Sequence, residues 1–288
     1  MKVNEIILIY RNQLRDLYEE GELSQVIFLV FEHVKNFSKI DIHLRKDELL
    51  SDSEKIKLEN ILSELKLNMP VQYVLGYAWF SGMKFKVNEH VLIPRQETEE
   101  LVEWISKKIE DEVRERKFDF NILDVCTGSG CIAIALKKKF PSANIFALDI
   151  SEEALAVARE NSKLNQAEVS FIQSDILRTP NFNLPTNYDL IVSNPPYVLE
   201  SEKQILNKNV LDYEPHLALF VKDNDPLIFY NSISDFAFHH LKPGGKLYFE
   251  INEAKGKEVE DLLLMKGFFN VIVKKDLNEK VRMASAIK

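Results

Sequence analysis

The chain has 288 residues, 45% hydrophobic and 28% charged, with a formal net charge of -8. That composition belongs to a globular protein of one large domain or two ordinary ones, with length enough to bury a core. The acidic balance argues against a broad, sequence-independent grip on nucleic-acid phosphates. Two cysteines supply no disulfide framework, and no apolar run approaches the roughly 20 residues that span a bilayer. The opening residues lack the apolar core and cleavage site of a signal peptide, so the cytoplasm is the expected location.

From residue 1 to about 75 the pattern is helical. Ile6, Ile9 and Leu14, then Val26, Leu29 and Val30, recur at helix-like spacing. Gly21 reads as punctuation between segments. Ser51 stands three residues before Glu54, the spacing of a capping box. A small bundle of short helices is expected, with no catalytic cluster in it.

The stretch YAWFSGMKFKVNEHVLIPR changes character. Aromatic and β-branched residues alternate around Ser81-Gly82, which predicts a hairpin. Pro94 ends it, and a long helix should begin at QETEELVEW with acids in its first turn, where the macrodipole favours them. The hairpin is thus expected to link two domains. Beyond it strands and helices alternate: FNILDVC, NIFALD, EVSFIQ, YDLIVSN, KLYFEI and FFNVIVKKD are the strand candidates. Such alternation predicts a mostly parallel sheet with helices on both faces. Between the fourth strand and about residue 224 lies a long irregular segment. Its length is unusual for a plain connection and suggests a loop that closes over a substrate.

ILDVCTGSGCIAIAL places Gly128 and Gly130 between a strand and a helix. Glycines there permit a tight turn and close approach of backbone to a ligand, and the helix N-terminus offers unpaired N–H donors. Asp149 ends the next strand, where a carboxylate can accept bonds from both hydroxyls of a ribose. Asp175, at the end of the third strand, could accept from an adenine amino group, with Ile176 packed on the ring. The glycine spacing also fits the dinucleotide fingerprint, so a nicotinamide-dependent oxidoreductase stays open at this point.

YDLIVSNPPYVLE raises the sharpest question, because a buried-looking strand stops on two prolines. The prolines stiffen the backbone, so the Pro195 carbonyl can point into a site. The Asn194 amide oxygen adds a second acceptor, Pro196 completes the rigid turn, and Tyr197 offers an aromatic wall. Two acceptors facing one NH2 group would satisfy both its N–H bonds and direct its lone pair. That suits methyl transfer to a planar, weakly nucleophilic nitrogen: acceptors stabilise the positive charge developing there, and alignment supplies the rest. Amide and exocyclic base nitrogens both qualify.

At this point the sequence resembles the S-adenosylmethionine-dependent glutamine-N5 methyltransferases that modify peptide-chain release factors. The resemblance rests on PVQYVLGYAWFSGMKFKV, VLIPRQETEELVEW, ILDVCTGSGCIAIAL, Asp149, SNPPY and YEPHLAL, and covers most of the chain. The tetrapeptide alone is shared with adenine-N6 methyltransferases; the hairpin and the Pro94-Arg95 stretch are more specific. The resemblance implies an α/β class I methyltransferase, Rossmann-like, with a seven-stranded, mostly parallel sheet. It also implies a helical recognition domain over 1–75, a hairpin linker over 76–95 and a methyltransferase domain over 96–288. Cys126, Thr127, Gly128, Ser129 and Gly130 would contact the methionine part of S-adenosylmethionine, Asp149 its ribose, and Asp175 with Ile176 its adenine. Asn194, Pro195, Pro196 and Tyr197 would hold the glutamine of a Gly-Gly-Gln motif in a class 1 release factor. Asn194, Pro195 and Tyr197 would carry catalysis, without a metal and in a monomer. Cys126 replaces a glycine usual in this loop, Gln96 replaces a proline, and YEPHLALFVKDNDPL lacks the family's paired glycines. A cysteine at that loop position needs a negative φ or some strain.

Overall fold

The computed structural model describes residues 1–116, 120–178 and 187–288. By contacts the chain divides into two units, one of Met1–Tyr77 with Asn207–Tyr213, the other of Ala78–Leu206 with Glu214–Lys288.

Within Met1–Tyr77 the first unit holds five helices, α1 (Val3–Leu14), α2 (Glu20–Lys35), α3 (Lys39–Leu44), α4 (Asp52–Leu65) and α5 (Val71–Leu75), and its later segment adds a sixth, Lys208–Tyr213. Of the residues at the predicted spacing, Ile6, Leu14, Val26 and Val30 are buried and close one core with Tyr10 and with Leu58, Leu62 and Leu65 of α4, while Ile9 and Leu29 are partly buried against it. The capping box forms as expected: the Ser51 hydroxyl accepts from the Glu54 N–H, and Glu54 accepts from the Ser51 N–H at 2.8 Å. Gly21 does not separate segments; it lies in the first turn of α2. Lys35, its side chain 7% exposed, bonds Glu48 at 2.9 Å and Glu54 at 2.7 Å.

The second unit opens with the hairpin β1 (Tyr77–Phe80) and β2 (Met83–Lys86). Ser81 and Gly82 both have positive φ, 49° and 72°, as a tight two-residue turn requires. After α6 (Gln96–Arg116) come β3 (Asn121–Val125), α7 (Cys131–Lys139), β4 (Asn144–Asp149), α8 (Glu152–Leu164), β5 (Ser170–Gln173) and β6 (Tyr188–Ser193). The segment that the sequence left irregular is built instead from β7 (Val198–Leu199), a 3-10 turn (Glu200–Ile205), α9 (Lys208–Tyr213), α10 (His216–Leu219) and β8 (Phe220–Val221). Elements of two to six residues carry too few positions for a periodicity to show. The chain ends with α11 (Ile228–His240), β9 (Leu241–Glu250), α12 (Gly256–Met265), β10 (Phe269–Lys275) and β11 (Val281–Ile287).

Seven strands form one sheet in the order β10-β11-β9-β6-β3-β4-β5. The pairs from β9 through β5 are parallel, and β11 is antiparallel to both its neighbours. Successive residues alternate between two cores, as a strand's period of two demands. Ile122, Leu190, Val192 and Tyr248 face α6, α7 and the hairpin's Phe80 and Phe85; Leu123, Ile191, Leu247 and Phe249 face α11 and α12. This is the doubly covered class I methyltransferase sheet. Pro243-Gly244-Gly245 forms a bulge inside β9: Tyr188 pairs Leu241 and Leu190 already pairs Lys246. Among the described residues no helix is long and apolar enough to cross a membrane.

Helix α12 approaches the sheet at Gly256, where a Cβ would lie 2.7 Å from Cγ1 of Val281 and 3.3 Å from Cγ1 of Val273. Gly256→Ala should therefore destabilise the protein by about 1–3 kcal/mol, the scale of core overpacking. Chemical denaturation reads the change; an unchanged or higher midpoint would contradict this close packing.

Candidate functional site

Strands β3 and β6 are neighbours, and the chain leaves β3 toward β4 but β6 toward β9, so the two crossovers run in opposite directions. In open α/β sheets that divergence opens a crevice at the carboxyl ends of the strands. A cavity of about 350 Å³ lies there, within the size range of small-ligand sites. It is lined by Cys126 to Ser129, Asp149, Asp175, Ile176, Asn194 and Pro196, with His90, Pro94, Arg95 and Thr98 before them and Pro215, Leu217 and Ala218 after.

The loop after β3 is shaped by three left-handed residues: Cys126 (φ 61°), Gly128 (φ 52°) and Gly130 (φ 80°). A Cβ on Gly130 would sit 3.1 Å from Ile134 Cδ1 and 3.2 Å from Ala158 Cβ, whereas one on Gly128 would meet nothing within 4 Å. Gly130 is thus needed for helix packing and Gly128 leaves open space at the cavity wall. Cys126 takes the strained option foreseen for it, at about 1–2 kcal/mol for an L-residue. Burial pushes its thiol well above the ordinary range, with Asp149 and Asp124 adding to the shift. The Cys131 thiol is pushed up to about 12 by burial, so both sulfurs are neutral packing groups rather than nucleophiles. Among the described residues no group of three or more His, Cys, Asp and Glu could hold a metal ion.

One buried and two half-buried carboxylates hold the loop ends. Asp124 Oδ2 accepts from the Thr127 hydroxyl at 2.5 Å and from the Ala133 N–H at 3.2 Å, spanning the loop and the first turn of α7. Asp149 accepts from the Gly128 N–H at 2.8 Å and the Ser151 N–H at 3.0 Å, one on each oxygen. Each oxygen keeps lone-pair capacity for another donor. Asp175 Oδ1 accepts from the Leu177 N–H at 2.9 Å, and its Oδ2 pairs with the Arg178 guanidinium at 3.1 Å. Ile176 is buried beside it. The loop is also tied from behind: Asn161 of α8, fully buried, donates from Nδ2 to the carbonyls of Ser129 and Lys86, both at 3.0 Å, and accepts from the Lys86 N–H at 2.6 Å.

Of the four residues after β6, Asn194 and Pro196 line the cavity; Pro195 and Tyr197 are not among its lining residues. The Asn194 Nδ2 donates to Thr98 Oγ1 at 3.1 Å, and the Thr98 hydroxyl donates to Glu250 Oε2 at 2.6 Å. The Tyr197 hydroxyl donates to Glu250 Oε1 at 3.0 Å, and its ring packs against the core beneath rather than walling the cavity. Thr98 and Glu250 escaped the sequence reading; the only signal was that Thr98 lies in the quoted VLIPRQETEELVEW. At the rim, buried Glu214 accepts from the Ile93 N–H at 3.2 Å and pairs with Arg95. This joins two of the quoted stretches, IPR and YEPHLAL. Arg95 therefore braces the rim. His239 and His240 bond the carbonyls of Asp235 and Phe236 at the end of α11, away from the cavity.

Burial pushes the Asp124 carboxyl up to about 7, against the pull of its Thr127 and Ala133 bonds. A folded-state value above the unfolded one, about 3.9, means that this group's stabilisation is complete below about pH 4. It is lost as pH rises toward 7. Between pH 5 and 6 the stability of the unaltered protein should fall relative to Asp124→Asn by about 1.4 kcal/mol per pH unit, one proton's worth. Urea denaturation across that range checks it, and parallel pH profiles for the two proteins would refute it.

Two family models match the chain: the PrmC N-terminal domain over residues 6–76 and the Methyltransferase small domain over residues 100–216. Over 282 residues the chain is 45% identical to the release factor glutamine methyltransferase of Flavobacterium psychrophilum, covering 96% of this chain and 98% of that one. It is also 45% identical, over 284 residues, to the protein of the same name from Bacteroides thetaiotaomicron, covering 99% of each. Among solved structures, the hMettl16 catalytic domain shares the fold, with a TM-score of 0.54 at 13% identity over 82% of each chain. With the helical unit, the doubly covered sheet and the switch-point cavity already in place, these identities settle the grouping: the chain belongs to the family of release factor glutamine methyltransferases.

Proposed function

We propose that this chain transfers a methyl group to the side-chain amide nitrogen of a glutamine, the one in the Gly-Gly-Gln motif of class 1 release factors. The observation that carries the reading is the state of Asn194. Its NH2 is engaged by Thr98, so its Oδ1 remains as an acceptor at a cavity that also holds Asp149 and the glycine loop. The family's curated relatives, named release factor glutamine methyltransferases, support glutamine over adenine as the nitrogen's source.

The cavity suits S-adenosylmethionine. Open space at Gly128, the spare acceptor capacity of Asp149, and buried Ile176 beside Asp175 offer places for a backbone-hugging chain, a ribose and a planar base. We assign Cys126 to Gly130 to the cofactor's amino-acid part, Asp149 to its ribose and Asp175 with Ile176 to its adenine. When bound, it would supply a methyl group on a positively charged sulfur that leaves as the neutral thioether, while the methylated nitrogen returns to neutrality by giving up one N–H proton to water.

The chain's own residues do the rest. Asn194 Oδ1 and the Pro195 carbonyl accept the two N–H bonds of the substrate amide and hold its nitrogen facing the cofactor pocket. Those acceptors stabilise positive charge as it develops on nitrogen, while the stiff prolines keep the alignment that makes attack effectively intramolecular. Pro196 shapes the wall, and Tyr197 anchors the turn through Glu250. The helical unit serves as the recognition domain for the release factor, and the enzyme works as a cytoplasmic monomer without a metal.

Asn194→Ala should cut methyl transfer by about 100-fold or more, the scale of losing one preorganised polar contact, with cofactor affinity changed only a few-fold. Near-normal turnover would remove Asn194 from its role. Asp149→Ala should weaken cofactor binding by about 10-fold or more, as loss of a hydrogen-bonded charged partner does; unchanged affinity by calorimetry would contradict the ribose assignment. The identity of the substrate is tested by offering labelled S-adenosylmethionine with release factor, duplex DNA and ribosomal RNA separately. Label on the release factor's glutamine is expected, and label on nucleic acid alone would overturn the reading.

A further inference from the structure

An asparagine serves as an acceptor only if its oxygen, and not its nitrogen, faces the substrate. The two ends of a carboxamide have nearly the same shape, so packing cannot choose between them; hydrogen bonding must. At Asn194 that choice is made by a chain of three groups. Glu250 ends β9, is 1% exposed, and uses both carboxylate oxygens as acceptors, one for Thr98 and one for Tyr197. Thr98, 2% exposed in the first turn of α6, has a single hydroxyl proton, and the 2.6 Å bond to Glu250 takes it. Its oxygen can then only accept, and it accepts from Asn194 Nδ2. A flipped Asn194 would set its carbonyl against the lone pairs of Thr98, in a buried place where an unmade bond is costly.

We propose that Glu250 and Thr98 are positioning residues for methyl transfer: the carboxylate polarises the Thr98 hydroxyl, and the hydroxyl locks Asn194 with its oxygen toward the substrate nitrogen. The proposal rests on the glutamine-amide reading above and adds what makes that acceptor face permanent. Tyr197 belongs to the same device, since its hydroxyl occupies the other oxygen of Glu250 and holds the carboxylate in place. A methyl acceptor therefore meets a site whose polarity is already set by groups outside its reach.

Three conservative variants separate this from a merely structural role. Thr98→Val keeps shape and removes the hydroxyl. Thr98→Ser keeps the hydroxyl. Glu250→Gln keeps shape but brings an NH2 group able to donate to Thr98 and reverse the whole chain. In the full-length protein, with a release factor as methyl acceptor, Thr98→Val and Glu250→Gln should each lower turnover about 10- to 100-fold, the scale of losing an outer partner of a functional group. Cofactor affinity by calorimetry should stay within a few-fold for both, and Thr98→Ser should keep turnover within a few-fold. The double variant should be no slower than the slower single one, because the residues act as a unit. Independently of turnover, the Asn194 side-chain NH2 protons should exchange slowly with solvent in the unaltered protein and faster in Thr98→Val. Normal turnover in Thr98→Val, failure of Thr98→Ser to restore it, or unchanged amide exchange would overturn the proposal. Asn194→Ala, run alongside, separates the two readings. If the unaltered protein labels no glutamine, both fall. If it does and Asn194→Ala does not, normal turnover in Thr98→Val removes the positioning role alone.

Discussion

Strands β3 and β6 lie side by side and parallel, yet the chain leaves them toward opposite edges of the sheet. Because helices cover both faces, polar chemistry is excluded from the strand interiors and collects at their carboxyl ends. Most groups assigned to the site obey this, Thr98 in the first turn of α6 being the exception. The glycine loop follows β3, Asp149 closes β4, Asp175 follows β5, Asn194 follows β6, and Glu250 closes β9. Strand ends are fixed by main-chain ladders, so the groups at these five strand ends inherit the rigidity of one sheet.

That rigidity has to be passed from backbone to side chain, and buried carboxylates do it. Buried Asp124 and Glu250 and half-buried Asp149 each accept two hydrogen bonds from groups on separate segments, and buried Glu214 accepts two from Ile93 and Arg95 of a single stretch. Burial raises the pKa of Asp124, Asp149 and Glu250, and hydrogen bonds to the charged form pull it back. Placing acids so deep is unfavourable on its own. It is tolerated where several donors converge, and the same convergence defines the loops geometrically.

Much of this was legible in the sequence, and the limit is physical. Gly128, Gly130 and Asp149 stand out because strand, loop and helix alternate locally, so their role is written within some two dozen residues. Asn194 stands out because two prolines end an apolar run. Thr98 and Glu250 do not, since their bond joins positions 152 apart, and Thr98 meets Asn194 across 96. A threonine inside an acidic helix start looks solvated, and an acid closing a strand looks exposed, until the fold brings them together. Tyr197 misled in a different way: its neighbours predicted an aromatic wall, but the strand end turns its ring into the core. Local pattern shows where a side chain sits along the chain, and only topology shows which neighbours share its surroundings.

Asn161 has a consequence beyond holding the glycine loop. Its amide reads both main-chain groups of Lys86 in the hairpin while its second N–H holds Ser129. A single buried side chain thereby measures the length of β2 against the wall of the cavity. Inserting or deleting one residue in that strand would present the opposite face of the chain to Asn161 and leave its polar atoms unmatched. The hairpin can vary freely in what it shows to solvent, but as a ruler it tolerates no change in the number of its divisions.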